Sequence, residues 1–454
     1  MTSPERESRK GGDTDRANAP AVDEAASKKL LRKWQIRILG STWLAYVGYY
    51  FCRKAFYVVK ADMERVLHFM PRDIGHVGTA YLACYMIGQF GSAYAGRKLG
   101  PKLLLLVGMG LSIGCNVAFG ISNGFWTVML FMAINGLAQG TGWPGCIGSL
   151  AFWFKRKQRG SVLGVWATCY QVGSIAATSF AAFMLGAAGW RWSFFGASAV
   201  LLVIWFVVLV FHPNRPEEVG LEPVGEDGDD EGEKRAGAEE QTTGERSGLK
   251  ALGWSRRVVL TIALMGTIYF CIKFLRYALW SWTAYFLRKS FGLDGDEAGY
   301  LTVIFDACGF AGVLFAGFAS DKLFEGRRAL LSFLMLAGMF LAFIWLYYAG
   351  SNDLIVFAIC LGLVGFGLYG PDSLLSGVGA IDVGTKRGAL AAAGIINGMG
   401  SIGPIFQEQL VGWMYGRFDR NLEPIFFVLM AVAGVGTAFT FALWVKAKLG
   451  RARI

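Results

Sequence analysis

The chain reads as an all-α polytopic membrane protein with twelve spanning helices in two six-helix halves. Three observations predict this. Hydrophobic residues make up 54% of the 454 positions and charged residues only 17%, well below the charge of a soluble protein of this size. About twelve apolar segments reach spanning length. One long polar stretch, His212 to about Arg256, separates the segments into equal sets. Lipid offers no partner to exposed backbone groups, so helix is the expected element throughout. The 61 glycines suit close helix packing through small residues.

Taken in order, residues 1–34 are polar and read as a disordered cytoplasmic tail. They lack an apolar leader core, so no cleavable signal is expected. Lys28, Lys29, Arg32 and Lys33 precede the first span and place it with its start in the cytoplasm. Spans are predicted near 36–59, 73–95, 102–121, 125–153, 161–187 and 192–211. A second set follows near 257–287, 297–319, 328–349, 353–379, 388–414 and 423–445. Short loops on the side of the N-terminus carry about sixteen basic residues against about eight opposite, so both termini are expected to be cytoplasmic. The domains are then an N-terminal bundle (35–211), a linker (212–256), a C-terminal bundle (257–446) and a short tail (447–454). The acidic run Glu226 to Glu233 marks the linker as solvated chain without a core.

The net charge of +11 is read as topology rather than nucleic-acid binding. The eight cysteines fall inside predicted spans without ligand spacing, and the three histidines are scattered, so neither metal nor cofactor is expected. No HExxH, Walker loop or nucleophile elbow is present, which argues against an enzyme and against a primary pump. A lipid bilayer, a small anionic ligand and a monomeric state are the expected surroundings.

The stretch from Tyr46 to Lys54 stands out inside the first span. At helical spacing Tyr46, Tyr50, Arg53 and Tyr57 share a face. An arginine in a span costs about 3 kcal/mol on insertion scales. Arg276 lies in the seventh span at matched depth, both arginines roughly 6 to 7 Å past the centre at 1.5 Å per residue. Two buried cations at one level suggest an anion held between related halves. Other segments repeat too. Gly136 to Pro144 in the fourth span parallels Gly365 to Pro371 in the tenth, and Ala93 to Leu99 parallels Gly317 to Leu323. Six spans per repeat keep the orientation, so the halves relate by an axis along the membrane normal, the arrangement of a major facilitator fold.

From about residue 35 to 446 the chain resembles the organophosphate:phosphate antiporters of that superfamily. The matching stretches are Tyr49-Tyr-Phe-Cys-Arg53-Lys54, Gln139-Gly-Thr-Gly-Trp143-Pro144, Arg159 to Trp166, Arg276-Tyr277 and Gly317 to Arg327 with Asp321. The resemblance implies that Arg53 and Arg276 bind the substrate phosphate, and that an organophosphate such as glycerol-3-phosphate or a hexose phosphate exchanges for inorganic phosphate. The physics agrees, because a guanidinium fork matches two phosphate oxygens and stays charged. Tyr46, Tyr50, Gln139, Trp143 and Tyr369 are implied to line the site, with packing as the other reading of each. Asn397 could bond a hydroxyl. Lys273, one turn before Arg276, either adds attraction for a doubly charged phosphate or pairs with Asp306. Structural pairing is the favoured expectation. Lys54 points about 100° from Arg53 and reads as an ion-pair partner. Asp306, Asp321, Asp372 and Glu408 are expected to balance charge or gate.

The chain departs from the bacterial glycerol-3-phosphate and hexose-phosphate carriers. Gln89 and Tyr170 stand where they have lysine and histidine, and Ser281 where they have an acid. Arg97 stands where the first-half loop motif usually has an acid. Ala380 to Lys386 is more similar to eukaryotic sugar-phosphate exchangers. The expected membrane is a plasma membrane. The second reading is a non-transporting sensor of sugar phosphate, since the same anion site would serve it.

Overall fold

The structure, a computed structural model, describes residues 24–224, 255–324, 327–350, 353–375, 389–418 and 421–449. The tail before residue 24, the linker interior with its acidic run, the segment from Ala380 to Lys386 and the last residues lie outside the described residues. So do the side chains of Arg97 and Asp321.

Helices make up nearly all of the described chain. The first half contains α1 (Glu24–Leu67), α2 (Pro71–Leu99), α3 (Pro101–Ile121), α4 (Phe125–Gln139), α5 (Gly142–Trp153), α6 (Arg156–Trp166), α7 (Cys169–Ala188) and α8 (Trp190–Phe211). The second contains α9 (Arg256–Phe291), α10 (Gly295–Lys322), α11 (Arg328–Trp345), α12 (Leu354–Leu374), α13 (Ala389–Arg417) and α14 (Glu423–Lys448). A single π turn, Leu346–Gly350, extends α11. With α4–α5 and α6–α7 each forming one span, this is the predicted twelve-span fold.

Three details differ from the sequence reading. Helix α1 begins at Glu24, inside the stretch assigned to the tail. Its Ala, Lys and Leu residues there are strong helix formers and continue the span without a break. The fourth span is broken at Gly140–Thr141, where Gly-Thr-Gly is poor in helix propensity; it restarts with Pro144 in the first turn of α5, where a missing N–H costs nothing. The fifth span is likewise interrupted at Ala167–Thr168.

The internal repeat is visible in the packing. α1 lies against α7 and α8, as α9 lies against α13 and α14. α2 pairs with α4 as α10 pairs with α12, and α3 with α8 as α11 with α14. Glycine permits the closest of these approaches: a Cβ on Gly140 would lie 2.6 Å from the Gly88 carbonyl carbon. The linker opening is fixed to the first half, with Asn214 Oδ1 accepting from the Lys102 amide (3.0 Å) and Leu221 buried.

The halves meet through α1 with α9, α2 with α13, and α7 with α10. Several of these contacts use the ends of α1 and α7 and the starts of α2 and α10, which lie on the far side of the bundle from the described start of α1 and end of α14. There Gly299 meets Ala182, and Gly75 meets the Glu408 carbonyl, at distances where an added Cβ would be 2.6 and 2.8 Å away.

Candidate functional site

At mid-depth the halves share a layer of aromatic rings and buried charge. On α1, Arg53 is 5% exposed. Its guanidinium lies between two phenol rings, 5.0 Å from the Tyr50 centroid and 4.9 Å from that of Tyr85. Its Nε donates to Gln139 Oε1 (3.0 Å). Its Nη2 is buried and has no partner among the described residues.

Gln139 ends α4 at the break in the fourth span, and the break aims it. Its oxygen also accepts from the Tyr81 hydroxyl (3.1 Å), while its Nε2 donates to the Tyr49 carbonyl and to Ser112 (3.2 Å each). Both ends of the amide are thus engaged by protein. Gln139 sits behind Arg53 and holds it, where the sequence left a ligand contact and packing both open.

Across the layer on α9, Arg276 Nη1 donates to Asp372 Oδ2 at 2.6 Å, and its guanidinium lies 4.3 Å from the Tyr369 centroid. Arg53 and Arg276 both act electrostatically on Tyr50, Tyr277 and Lys54, so one set of groups feels both arginines. Tyr50 packs edge-on against Trp280 of the other half (5.9 Å). Tyr46 packs against Tyr50, Trp166 and Tyr170. Trp143, beside Tyr170, is 45% exposed. Tyr85, Tyr170, Arg276 and Tyr277 stay partly exposed at this depth.

Asp306 corrects one expectation. It pairs with Lys54 (3.3 Å), and accepts from Ser174 and the Tyr369 hydroxyl (2.5 Å each). Lys273 is not its partner. Lys273 instead donates to Asn397 Oδ1 (2.9 Å) and Ser401 Oγ (3.3 Å) on α13. The physical reason is reach: Lys54 already fills the space beside Asp306, lying 3.8 Å over the Trp280 ring. Four cations, Arg53, Lys54, Lys273 and Arg276, therefore meet two carboxylates, Asp306 and Asp372. The described layer carries two uncompensated positive charges.

Glu408 belongs to a different cluster, toward the far side. It pairs with Lys60 of α1 (3.1 Å), both side chains fully buried, and also accepts from Ser281. Next to it Asp62 pairs with Arg288 (2.6 Å) and Glu64 with Lys289 (2.8 Å). The Tyr285 hydroxyl donates to Glu64 (2.6 Å). These pairs tie α1 to α9 and α13 on the far side. Sequence reading singled out Glu408 but not its partner Lys60, and it missed the Asp62–Arg288 and Glu64–Lys289 pairs along with Tyr81 and Tyr85. The signal was present: Lys60, Asp62 and Glu64 close the first span where Arg288 and Lys289 close the seventh.

A family model described as Major Facilitator Superfamily matches residues 42–407. The chain belongs to the Major Facilitator Superfamily. Within that superfamily it is 26% identical to a probable hexose phosphate transport protein of Chlamydia pneumoniae, covering 93% of this chain and 94% of that one. It is 28% identical to the membrane sensor protein UhpC of Salmonella typhimurium, covering 92% and 94%. Among solved structures, a bacterial homolog of the human lysosomal transporter Spinster, inward-facing and unoccupied, aligns with a TM-score of 0.75 at 14% identity, covering 93% of this chain and 99% of that one. That likeness shows the fold.

Proposed function

We propose that the protein is a secondary antiporter that exchanges a small organophosphate for inorganic phosphate by alternating access. It works as a monomer in a plasma membrane with both termini cytoplasmic. The structure is then the state closed toward the outside.

The observation that carries this reading is the Arg53 guanidinium. It is anchored at Nε, sandwiched between rings, and left with a buried Nη2 that no described residue satisfies. A desolvated cation with an idle donor is costly until an anionic acceptor arrives. A phosphate oxygen fits that need, and a phosphate dianion also matches the two uncompensated charges of the layer. The relative named as a hexose phosphate transport protein points to the same ligand chemistry.

Counterflow tests it. Proteoliposomes loaded with unlabelled phosphate should accumulate labelled phosphate, and empty ones should not. Efflux of internal phosphate into buffer free of phosphate and phosphoester, as fast as exchange, overturns the antiport. The relative named as a sensor supplies the second reading. Phosphoester binding without flux would select it.

A further inference from the structure

A chain of buried neutral groups runs from Arg53 into the first half and returns to α1. Gln139 of α4 accepts from Arg53 Nε on its oxygen (3.0 Å) and donates from Nε2 to Ser112 Oγ of α3 (3.2 Å). Ser112 Oγ donates to Asn135 Oδ1, one turn before Gln139 on α4 (2.7 Å). Asn135 Nδ2 donates to the Cys52 carbonyl (3.4 Å), and Cys52 immediately precedes Arg53. Ser112, Asn135 and Gln139 are each at most 1% exposed. We infer that Ser112 and Asn135 are positioning residues: they fix which end of the Gln139 amide faces Arg53, and so aim the Arg53 fork at its anion. This rests on the anion-exchange reading and assigns two further residues to it.

The chain has a direction, and its far end sets it. A backbone carbonyl can only accept, so Asn135 turns its NH2 to Cys52 and its oxygen to Ser112. The single Ser112 hydroxyl proton is then committed to Asn135, and Ser112 presents lone pairs to Gln139. The Cys52 thiol also lies beside Ser112, but sulfur is the weaker acceptor and does not claim that proton. Gln139 Nε2 donates to the Tyr49 carbonyl as well (3.2 Å), another obligate acceptor that supports the same orientation. Only the Gln139 oxygen is left for Arg53 Nε and the Tyr81 hydroxyl. Turned the other way, the amide would set N–H against N–H at the guanidinium. The Arg53 Nη2 that no described residue satisfies belongs to the same planar fork, so holding Nε fixes where Nη2 points. Apolar side chains of the same size would join α3 to α4 without a desolvation cost, so packing does not call for these polar groups.

Equilibrium binding of inorganic phosphate to the purified full-length protein in detergent tests this, with counterflow measured beside it. Ser112→Ala deletes one oxygen, and Asn135→Leu removes the amide at similar volume. Each should weaken phosphate binding about fivefold and raise the counterflow KM to match, with the maximal rate retained. Ser112→Thr keeps the hydroxyl and should bind within about twofold of the wild-type protein. Combined with Gln139→Leu, neither substitution should add to the loss from Gln139→Leu alone, since the chain is already cut at its last link. Polar groups that only glue α3 to α4 would lower the melting temperature and leave the phosphate KM and this coupling untouched. Unchanged binding in Ser112→Ala, or losses that multiply in the double variants, overturns the inference and leaves the anion site standing. If Asn135→Leu does not fold, Ser112→Ala decides alone. A wild-type protein that binds no phosphate overturns the anion reading and this inference with it.

Discussion

Glu408→Gln removes the anionic member of the most deeply buried ion pair between the halves. Lys60 and Glu408 are each 0% exposed and 3.1 Å apart. Lys60 also lies 3.9 Å over the Trp282 ring and donates to Ser281 (2.6 Å). Breaking such a pair by deleting one partner costs about 3–5 kcal/mol, because the remaining charge stays buried. The pair joins α1 to α13, so the cost falls on the state whose far side is closed. At about 1.4 kcal/mol per decade, the lower figure moves the closed-to-open ratio by about a hundredfold. Thr79 and Gln409, on α2 and α13, come within 3.5 Å across the same seam and report on it. With the native cysteines replaced by serine, Thr79→Cys and Gln409→Cys should cross-link readily. Adding Glu408→Gln should slow cross-linking at least about tenfold. Lys60→Met with Glu408→Leu removes both charges and should restore it. Equal cross-linking with and without Glu408→Gln, at unchanged thermal stability, would refute the claim that this pair holds the seam.

Arg53→Lys and Arg276→Lys should each lower phosphate counterflow at least about tenfold, since an ammonium cannot reproduce the planar fork. Arg53→Lys should lose more, because Arg276 already shares its charge with Asp372. Gln139→Leu should raise the phosphate KM about tenfold or more, as the Arg53 Nε and Tyr81 hydroxyl lose their acceptor. Normal KM values would return Gln139 to a packing role. His212, just beyond α8, is fully buried between the Ser41 and Ser149 hydroxyls (2.7 and 2.9 Å). Burial first, and the Lys102 charge second, push its imidazole down to about 4. The unfolded chain takes up a proton near 6.5 and the folded one does not, so this stability is complete above 6.5 and is lost as pH falls toward 4, about 3 kcal/mol in all. The melting temperature in detergent should therefore drop between pH 7 and 5, and His212→Gln should flatten that slope.

Much of the fold was legible because lipid simplifies the problem: apolar runs of spanning length have one solution, and the repeat shows as matching Gly and Pro positions. Arg53 and Arg276 were legible for the same reason, being costly where they stand. The ion pairs between the halves were not. Lys54 and Asp306 are 252 residues apart, and Lys60 and Glu408 are 348 apart, so nothing local joins them. The sequence pointed to Lys273 for Asp306 and named no acid for Lys54, and only the packing around Trp280 shows that Lys54 takes that place. The far-side pairs were hidden by span ends drawn at 59 and 287, whereas α1 runs on to Leu67 and α9 to Phe291. Charges read as loop residues are in fact buried between helices. The broken fourth span was written in Gly140-Thr-Gly142, but its consequence, an amide turned to grip Arg53, depends on where α1 lies.

Helix α1 carries both the proposed anion site and the seal. Arg53 and Lys54 sit at mid-depth, and Lys60, Asp62 and Glu64 follow on the same unbroken helix. In the proposed alternating access, opening the far side breaks three of its ion pairs, which do not count equally. Arg288 and Lys289 are 18% and 19% exposed, so water recovers much of their solvation, and pairs near solvent contribute about 0–1 kcal/mol. Lys60–Glu408 has no such recourse and dominates. Lys54–Asp306 also crosses the halves, with both groups 1% exposed, and it stands beside the anion site. On the proposed reading, an anion on Arg53 would compete with Asp306 for Lys54 and with Asp372 for Arg276, so occupancy would weaken the tie that an empty site keeps intact. On this reasoning the empty carrier is held by ion pairs between the halves. Lys54→Gln with Asp306→Asn keeps polar groups for Ser174, Tyr369 and each other but removes the charges. It should let loaded proteoliposomes leak phosphate into anion-free buffer several times faster than the wild-type protein. Retention as tight as wild type, with counterflow intact, would show that the empty carrier is locked elsewhere.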